Sequence, residues 1–97
     1  MSGYLFTETV RQDANDIWDY ISQDIIDAVD RIIAEFQRVA SRLSVLPDMG
    51  HRREDLTGKD YRFWSVHSYL IIYNPDSTPL QIVRILSGFR DITPLID

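Results

Sequence analysis

The run Lys59-Asp60-Tyr61-Arg62-Phe63-Trp64-Ser65-Val66-His67-Ser68-Tyr69-Leu70-Ile71-Ile72-Tyr73 decides the fold, together with Leu80-Gln81-Ile82-Val83-Arg84-Ile85-Leu86-Ser87-Gly88-Phe89-Arg90-Asp91 after it. Aromatic and β-branched residues dominate both runs, which predicts strands near 61–67, 69–74 and 80–87. The tight His67-Ser68 link and the cluster Asn74-Pro75-Asp76-Ser77-Thr78-Pro79 supply the turns between them. Three strands so close in sequence form a meander. A sheet this apolar needs a second layer over it.

That layer is encoded upstream. Tyr4-Leu5-Phe6 reads as a short first strand, after which Thr7 or Thr9 can cap a helix; Thr9 and Gln12 have capping-box spacing. Val10, Ala14, Ile17, Trp18 and Ile21 recur at helical intervals, predicting a helix over about residues 8–22 with Asp13, Asp16 and Asp19 turned outward. Asp24 suits the cap of a second helix whose stripe is Ile25, Val29, Ile32, Ile33, Phe36, Val39, Ala40 and Leu43. Asp27 with Arg31 and Glu35 with Arg38 are spaced for charge pairing on its outer surface. Pro47 stops it. The short link Ser22-Gln23-Asp24 forces the helices antiparallel, as a hairpin.

The expected architecture is therefore α+β, one domain over residues 1–97, in the order β-α-α-β-β-β, with the helical hairpin packed on an antiparallel sheet. Phe6, Trp18, Phe36 and Tyr73 are expected in the core. In the polar loop from Asp48 to Gly58, Gly50 and Gly58 are placed to take positive φ. Gly88 ends the last strand, and residues 91–96 read as a helical turn or an extended tail.

Composition narrows the chemistry. The net charge of −5 falls on the first half: residues 1–50 hold four arginines and nine acids, while residues 51–97 hold six basic and six acidic residues. This acidic balance lacks the footprint of a nucleic-acid binder and argues against direct nucleic-acid contact. A local basic patch still fits His51, Arg52, Arg53, Lys59, Arg62, Arg84 and Arg90. With no cysteine and two histidines, neither a disulfide framework nor a metal site is expected, and no cofactor motif is present. No apolar run is long enough to span a membrane, so a soluble cytoplasmic protein is the expectation.

One arginine fits a core poorly. Strict alternation over residues 80–87 puts Leu80, Ile82, Arg84 and Leu86 on one face. A guanidinium keeps its charge, so its tip needs a carboxylate, carbonyls or solvent. Either it pairs with an acid such as Asp60 or Asp91, or it lies open to an anion or a partner's carboxylate. On the first strand of the meander Arg62 and Trp64 share one face, and Tyr61, Phe63 and His67 the other. If the Phe63 row packs on the helices, Arg62 and Trp64 line the open face, where Arg84 can join them. Arginines beside aromatics suit base stacking and protein interfaces equally. His67 reads as a turn or core histidine, His51-Arg52-Arg53 as a solvated basic loop with partner contact as the alternative. No catalytic triad or phosphate-binding loop is present.

These residues resemble the ParE branch of the RelE/ParE toxins of bacterial type II toxin–antitoxin systems. Ala14-Asn15-Asp16-Ile17-Trp18-Asp19-Tyr20-Ile21 is similar to the family's first-helix run, and Pro47-Asp48-Met49-Gly50-His51-Arg52-Arg53-Glu54-Asp55-Leu56 to its P-x-x-G-x-x-R-x-x-L loop. Tyr61 through Tyr73 resembles its central strand pair. Val83-Arg84-Ile85-Leu86-Ser87-Gly88-Phe89-Arg90-Asp91 looks like its ending, with Ser87 where a histidine is common. The resemblance implies a plasmid-stabilisation type toxin, neutralised by a ParD-like antitoxin and acting by binding and inhibiting DNA gyrase rather than as an enzyme. Partner contacts are then expected at Arg52, Arg53, Arg62, Trp64, Arg84 and Arg90. The RelE branch instead cleaves messenger RNA on the ribosome, and Arg62 and Arg84 match the arginines that chemistry would use. After Arg84, however, the sequence has no histidine or tyrosine to act as general acid. A non-toxic interaction module on the same fold is the remaining alternative.

Overall fold

The computed structural model describes residues 3–22, 26–53 and 59–87. Strand β1 (Tyr4–Phe6) leads into α1 (Glu8–Ser22) and α2 (Ile26–Val45). A 3₁₀ turn (Pro47–Met49) follows, then β2 (His51–Arg52), β3 (Arg62–Val66), β4 (Tyr69–Asn74) and β5 (Leu80–Ser87). The five strands form one sheet in the order β1-β5-β4-β3-β2. The last four are mutually antiparallel, while β1 runs parallel to β5. The expected α+β hairpin-on-sheet architecture is what the chain adopts, with β2 as an added edge strand inside the segment read from sequence as loop.

Local chemistry sets the element ends. Thr7 rather than Thr9 caps α1, its Oγ1 accepting from the Val10 N–H at 3.3 Å. Pro47 closes α2, and Glu35 and Arg38 form the expected ion pair on its surface. Between β3 and β4 the positive φ falls on His67 (φ 55°), a residue type tolerated in the left-handed region. Gly50, expected there, instead has φ −76° and ψ 172°. The Asp24 cap, the link at residues 23–25, the Asp27 side chain, Gly58, Gly88 and the tail at 91–96 lie outside the described residues.

The main core fills the space between helices and sheet. Val10 and Ile17 of α1 and Phe36, Val39, Ala40 and Leu43 of α2 pack on Val66, Ile71, Tyr73, Leu80, Ile82 and Ile85. Each of the valine, leucine, isoleucine and phenylalanine side chains among them contributes about 1.5–3 kcal/mol when fully removed from water. Phe36 adds an edge-to-face contact with Tyr69, ring centroids 5.7 Å apart. Phe6 packs partly buried against this core, whereas Trp18, expected inside, is 46% exposed. Asp13, expected outside, is 7% exposed. Helix α1 is thus rolled so that Asp13, one flank of its Val10/Ile17 stripe, faces the sheet and Trp18, the other flank, faces outward.

A β-bulge explains the second departure from strict alternation. Ile72 pairs with Arg84 but Tyr73 pairs with Ile82, leaving Val83 unopposed. Leu80, Ile82 and Ile85 therefore face the helices, while Leu86 joins Phe63 and Ile72 in a smaller cluster flanked by Tyr61, Leu70 and Val83. Arg84 stands in the register of Ile72, not in the row of Leu80 and Ile82. The Phe63 row likewise belongs to the smaller cluster. It is Trp64 and Val66 that pack toward the helices, so Arg62, Trp64 and Arg84 do not share one open face.

Candidate functional site

Two structures organise the basic residues: an ion pair at the β5 edge and a clamped turn leading into β2. Strand β1 covers β5 only as far as Ile82, and beyond it α1 takes the place of a neighbouring strand. There the Asp13 carboxylate accepts from Arg84 Nε at 2.7 Å and Arg84 Nη2 at 2.8 Å, a two-pronged fork. The Ile85 N–H, at the edge that β1 no longer covers, also donates to Asp13 Oδ2 at 3.1 Å. Hydrogen bonding to Asp13 raises the Arg84 pKa further above its ordinary range, against the opposing effect of burial. Asp13 pairs with Arg84 from an element read as carrying only outward aspartates, while Asp91, one of the two partners expected from the sequence, lies outside the described residues. Asp60 is occupied elsewhere, with Arg52.

Residues 47–50 are held from below by two side chains of the sheet. Tyr73 Oη donates to the Pro47 carbonyl at 2.6 Å and accepts from the Gly50 N–H at 2.9 Å. Arg62 Nη1 donates to the carbonyls of Gly50 at 2.9 Å and Asp48 at 3.4 Å, and Nη2 lies 3.6 Å from Asp48 Oδ1. Gly50 is required here for closeness, since a Cβ would fall 2.4 Å from Tyr73 Oη.

The clamped turn delivers β2 to the sheet edge, where His51 pairs with Phe63 and Arg52 with Arg62. The His51 ring lies nearly parallel to Trp64, centroids 6.2 Å apart and planes 9° apart. Arg52 and Arg53 are exposed, and Arg52 Nη2 meets Asp60 Oδ1 at 2.8 Å. Beside them lies an open cavity of about 230 Å³ lined by Asp48, Arg52, Asp60, Arg62, Pro75 and Asp76. Arg52, Arg53, Arg62 and Trp64 are thus brought to one edge of the sheet. Arg84 stands apart with Asp13, and Arg90 is outside the described residues. Among the described residues no cluster of histidine or acidic side chains could hold a metal ion, and no helix is long and apolar enough to cross a membrane.

Sequence reasoning missed Asp13 and the turn-clamping role of Tyr73. Asp13 had a signal: it stands three residues after Val10 and four before Ile17, at the spacing of one helical stripe. Tyr73 had none, because its partners are main-chain groups distant in sequence.

Burial pushes the Tyr73 phenol above its ordinary pKa, only partly offset by the Gly50 N–H and Arg62. The folded state thus holds this proton longer than the unfolded chain does. Its contribution is complete below the ordinary phenol pKa of about 10 and is lost as pH rises through the folded value. Tyr73→Phe keeps the ring but strands the Gly50 N–H and Pro47 carbonyl. We expect a loss of about 1–3 kcal/mol at neutral pH, and a shallower fall in stability above about pH 10 than wild type shows. Urea unfolding of both proteins between neutral and alkaline pH measures the two effects.

Comparisons with known proteins bear on the family and the fold. The family model of the ParE toxin of type II toxin–antitoxin systems, parDE, matches residues 4–92, and the chain belongs to that family. Among solved structures, a chain of the chromosomal ParDE TA system from P. aeruginosa is similar with a TM-score of 0.74, covering 90% of this chain and 96% of that one at 16% sequence identity. At that identity the likeness speaks for the fold. No curated protein matches.

Proposed function

We propose that this ParE-type toxin acts by binding DNA gyrase and inhibiting it, as a non-enzymatic cytoplasmic protein silenced by a ParD-like antitoxin. Its place in the ParE family over residues 4–92 carries the reading. The basic edge at Arg52 and Arg53, with Arg62 and Trp64 beneath it, is the surface we assign to partner contact, together with Arg90. Arg84 stands apart from that surface, paired with Asp13. A ribonuclease reading would need Arg62 and Arg84 to meet a phosphorane. Both guanidiniums are instead engaged, one with the carbonyls of the turn and the other with Asp13, which favours action by binding.

Controlled expression in a bacterial host without the antitoxin tests this. Growth should arrest with induction of a DNA-damage reporter, and co-expression of the antitoxin should restore growth. Purified protein should inhibit gyrase supercoiling at micromolar concentration. Arrest without reporter induction, with new cut sites in messenger RNA, would replace the gyrase reading with the ribonuclease one. Unimpaired growth with folded protein would leave an interaction module.

A further inference from the structure

We infer that Arg62 is a positioning residue: it orders the edge at residues 51–53 for the ParD-like antitoxin and does not itself bind the antitoxin. The inference rests on the proposed assignment of partner contact to Arg52 and Arg53. Its guanidinium is directed at the main chain. Nη1 serves the carbonyls of Gly50 and Asp48, Nη2 faces the Asp48 carboxylate, and the side chain is only 25% exposed. A planar fork with fixed donor directions can serve two carbonyls and a carboxylate at once, which an ammonium on a flexible stem does less well. The backbone of the same residue pairs with Arg52, so Arg62 holds the edge both at its own register and in the turn before it.

The segment needs that support. Strand β2 has only two residues paired to β3, and the 3₁₀ turn begins at Leu46 with no side-chain cap. Tyr73 fixes Pro47 and the Gly50 N–H from β4, but the Gly50 carbonyl, the last group before β2, is held by Arg62. Loss of Arg62 would leave Arg52 and Arg53 in place chemically and loosen them geometrically, and a binding surface depends on such preorganisation.

Amide hydrogen exchange of the isolated toxin and its affinity for the proposed ParD-like antitoxin test the inference. In Arg62→Gln, amides at residues 51–53 should exchange about tenfold faster, as expected when hydrogen bonds of ordinary strength are lost, while those of β4 stay unchanged. Antitoxin affinity should fall by a similar factor, and Arg62→Lys should lie between. In a background carrying Arg52→Ala and Arg53→Ala, Arg62→Gln should weaken binding no further, because its effect passes through those side chains. Unchanged exchange at residues 51–53 overturns the inference, and so does an undiminished Arg62→Gln effect in the doubly substituted background. Faster exchange, with affinity indifferent to Arg52→Ala and Arg53→Ala, shows instead that Arg62 orders the edge but the assignment of partner contact is wrong.

Discussion

Arg84→Ala is expected to lower the unfolding free energy by about 3 kcal/mol, near the lower end of what breaking a buried ion pair costs. The cost lies mainly in what remains. Asp13 is only 7% exposed and would be left with the Ile85 N–H, at 3.1 Å, in place of three donors. Arg84 itself is 21% exposed, so water can partly replace the guanidinium, which places the effect below the upper bound. Asp13→Ala removes the carboxylate from both Arg84 and Ile85, and should cost a comparable amount while loosening α1 from β5. The double substitution Asp13→Leu with Arg84→Met should recover much of the loss, since an apolar pair of similar volume avoids the desolvation of two charges. Urea unfolding of wild type, Asp13→Ala, Arg84→Ala and the protein carrying both alanines gives the coupling directly, and the Asp13→Leu/Arg84→Met protein measured beside them tests the recovery. A loss under about 0.5 kcal/mol for Arg84→Ala, the size of an exposed pair, would show that solvent already screens this contact. A decline of 3 kcal/mol is a large share of the roughly 5–15 kcal/mol by which a domain is stable. Toxicity assays on Arg84 variants therefore need a melt beside them before any loss is credited to a partner contact.

The same pair marks the boundary of what the chain's sequence makes legible. Elements built on local periodicity were readable: α1 was expected at 8–22 and occupies Glu8–Ser22, and the three long strands lie within a residue or so of their expected positions. Features created by tertiary pairing were not. Strand β2 is two residues long, too short for alternation to register, and exists because β3 offers it a ladder. The bulge at Val83 left one trace, the apolar spacing 80, 82, 83, 85, 86, which breaks period two at that point. Reading through that break put Arg84 on the wrong face. Trp18 and Asp13 flank one stripe, and hydrophobicity alone turned the helix toward the tryptophan. The arginine waiting on β5 turned it the other way. Arg52, Arg53, Arg62 and Trp64 were legible as a group through the loop and strand motifs, but their division into exposed and half-buried members was not. That division depends on the carbonyls of residues 48 and 50, and a main-chain acceptor has no sequence signature.

Gly50→Ala is expected to cost about 2–3 kcal/mol, by overpacking rather than by backbone strain. At φ −76° and ψ 172° the backbone suits any residue, so a reading based on positive φ would predict a different pattern: relief by asparagine. Here the obstacle is the Tyr73 ring. An added Cβ would fall 2.4 Å from Oη, 2.8 Å from Cε1 and 2.9 Å from Cζ. Tyr73 is fully buried and its hydroxyl is fixed between Pro47 and Gly50, so the ring has no free direction in which to yield. If the turn moves instead, it gives up the Tyr73 hydrogen bonds and the Arg62 contact with the Gly50 carbonyl. For a domain of this size, 2–3 kcal/mol corresponds to a melting temperature lower by roughly 10–20 °C. Gly50→Asn should be at least as damaging as alanine. The combination of Gly50→Ala with Tyr73→Phe should cost less than the sum of the two, since the phenylalanine removes the closest clashing atom and the hydrogen bonds are lost only once. Thermal melts of wild type, Gly50→Ala, Gly50→Asn, Tyr73→Phe and the combined variant read all of this. Gly50→Ala melting with wild type would mean that the turn and Tyr73 separate at no cost, and the clamp that orders the β2 edge would then lose one of its two sides.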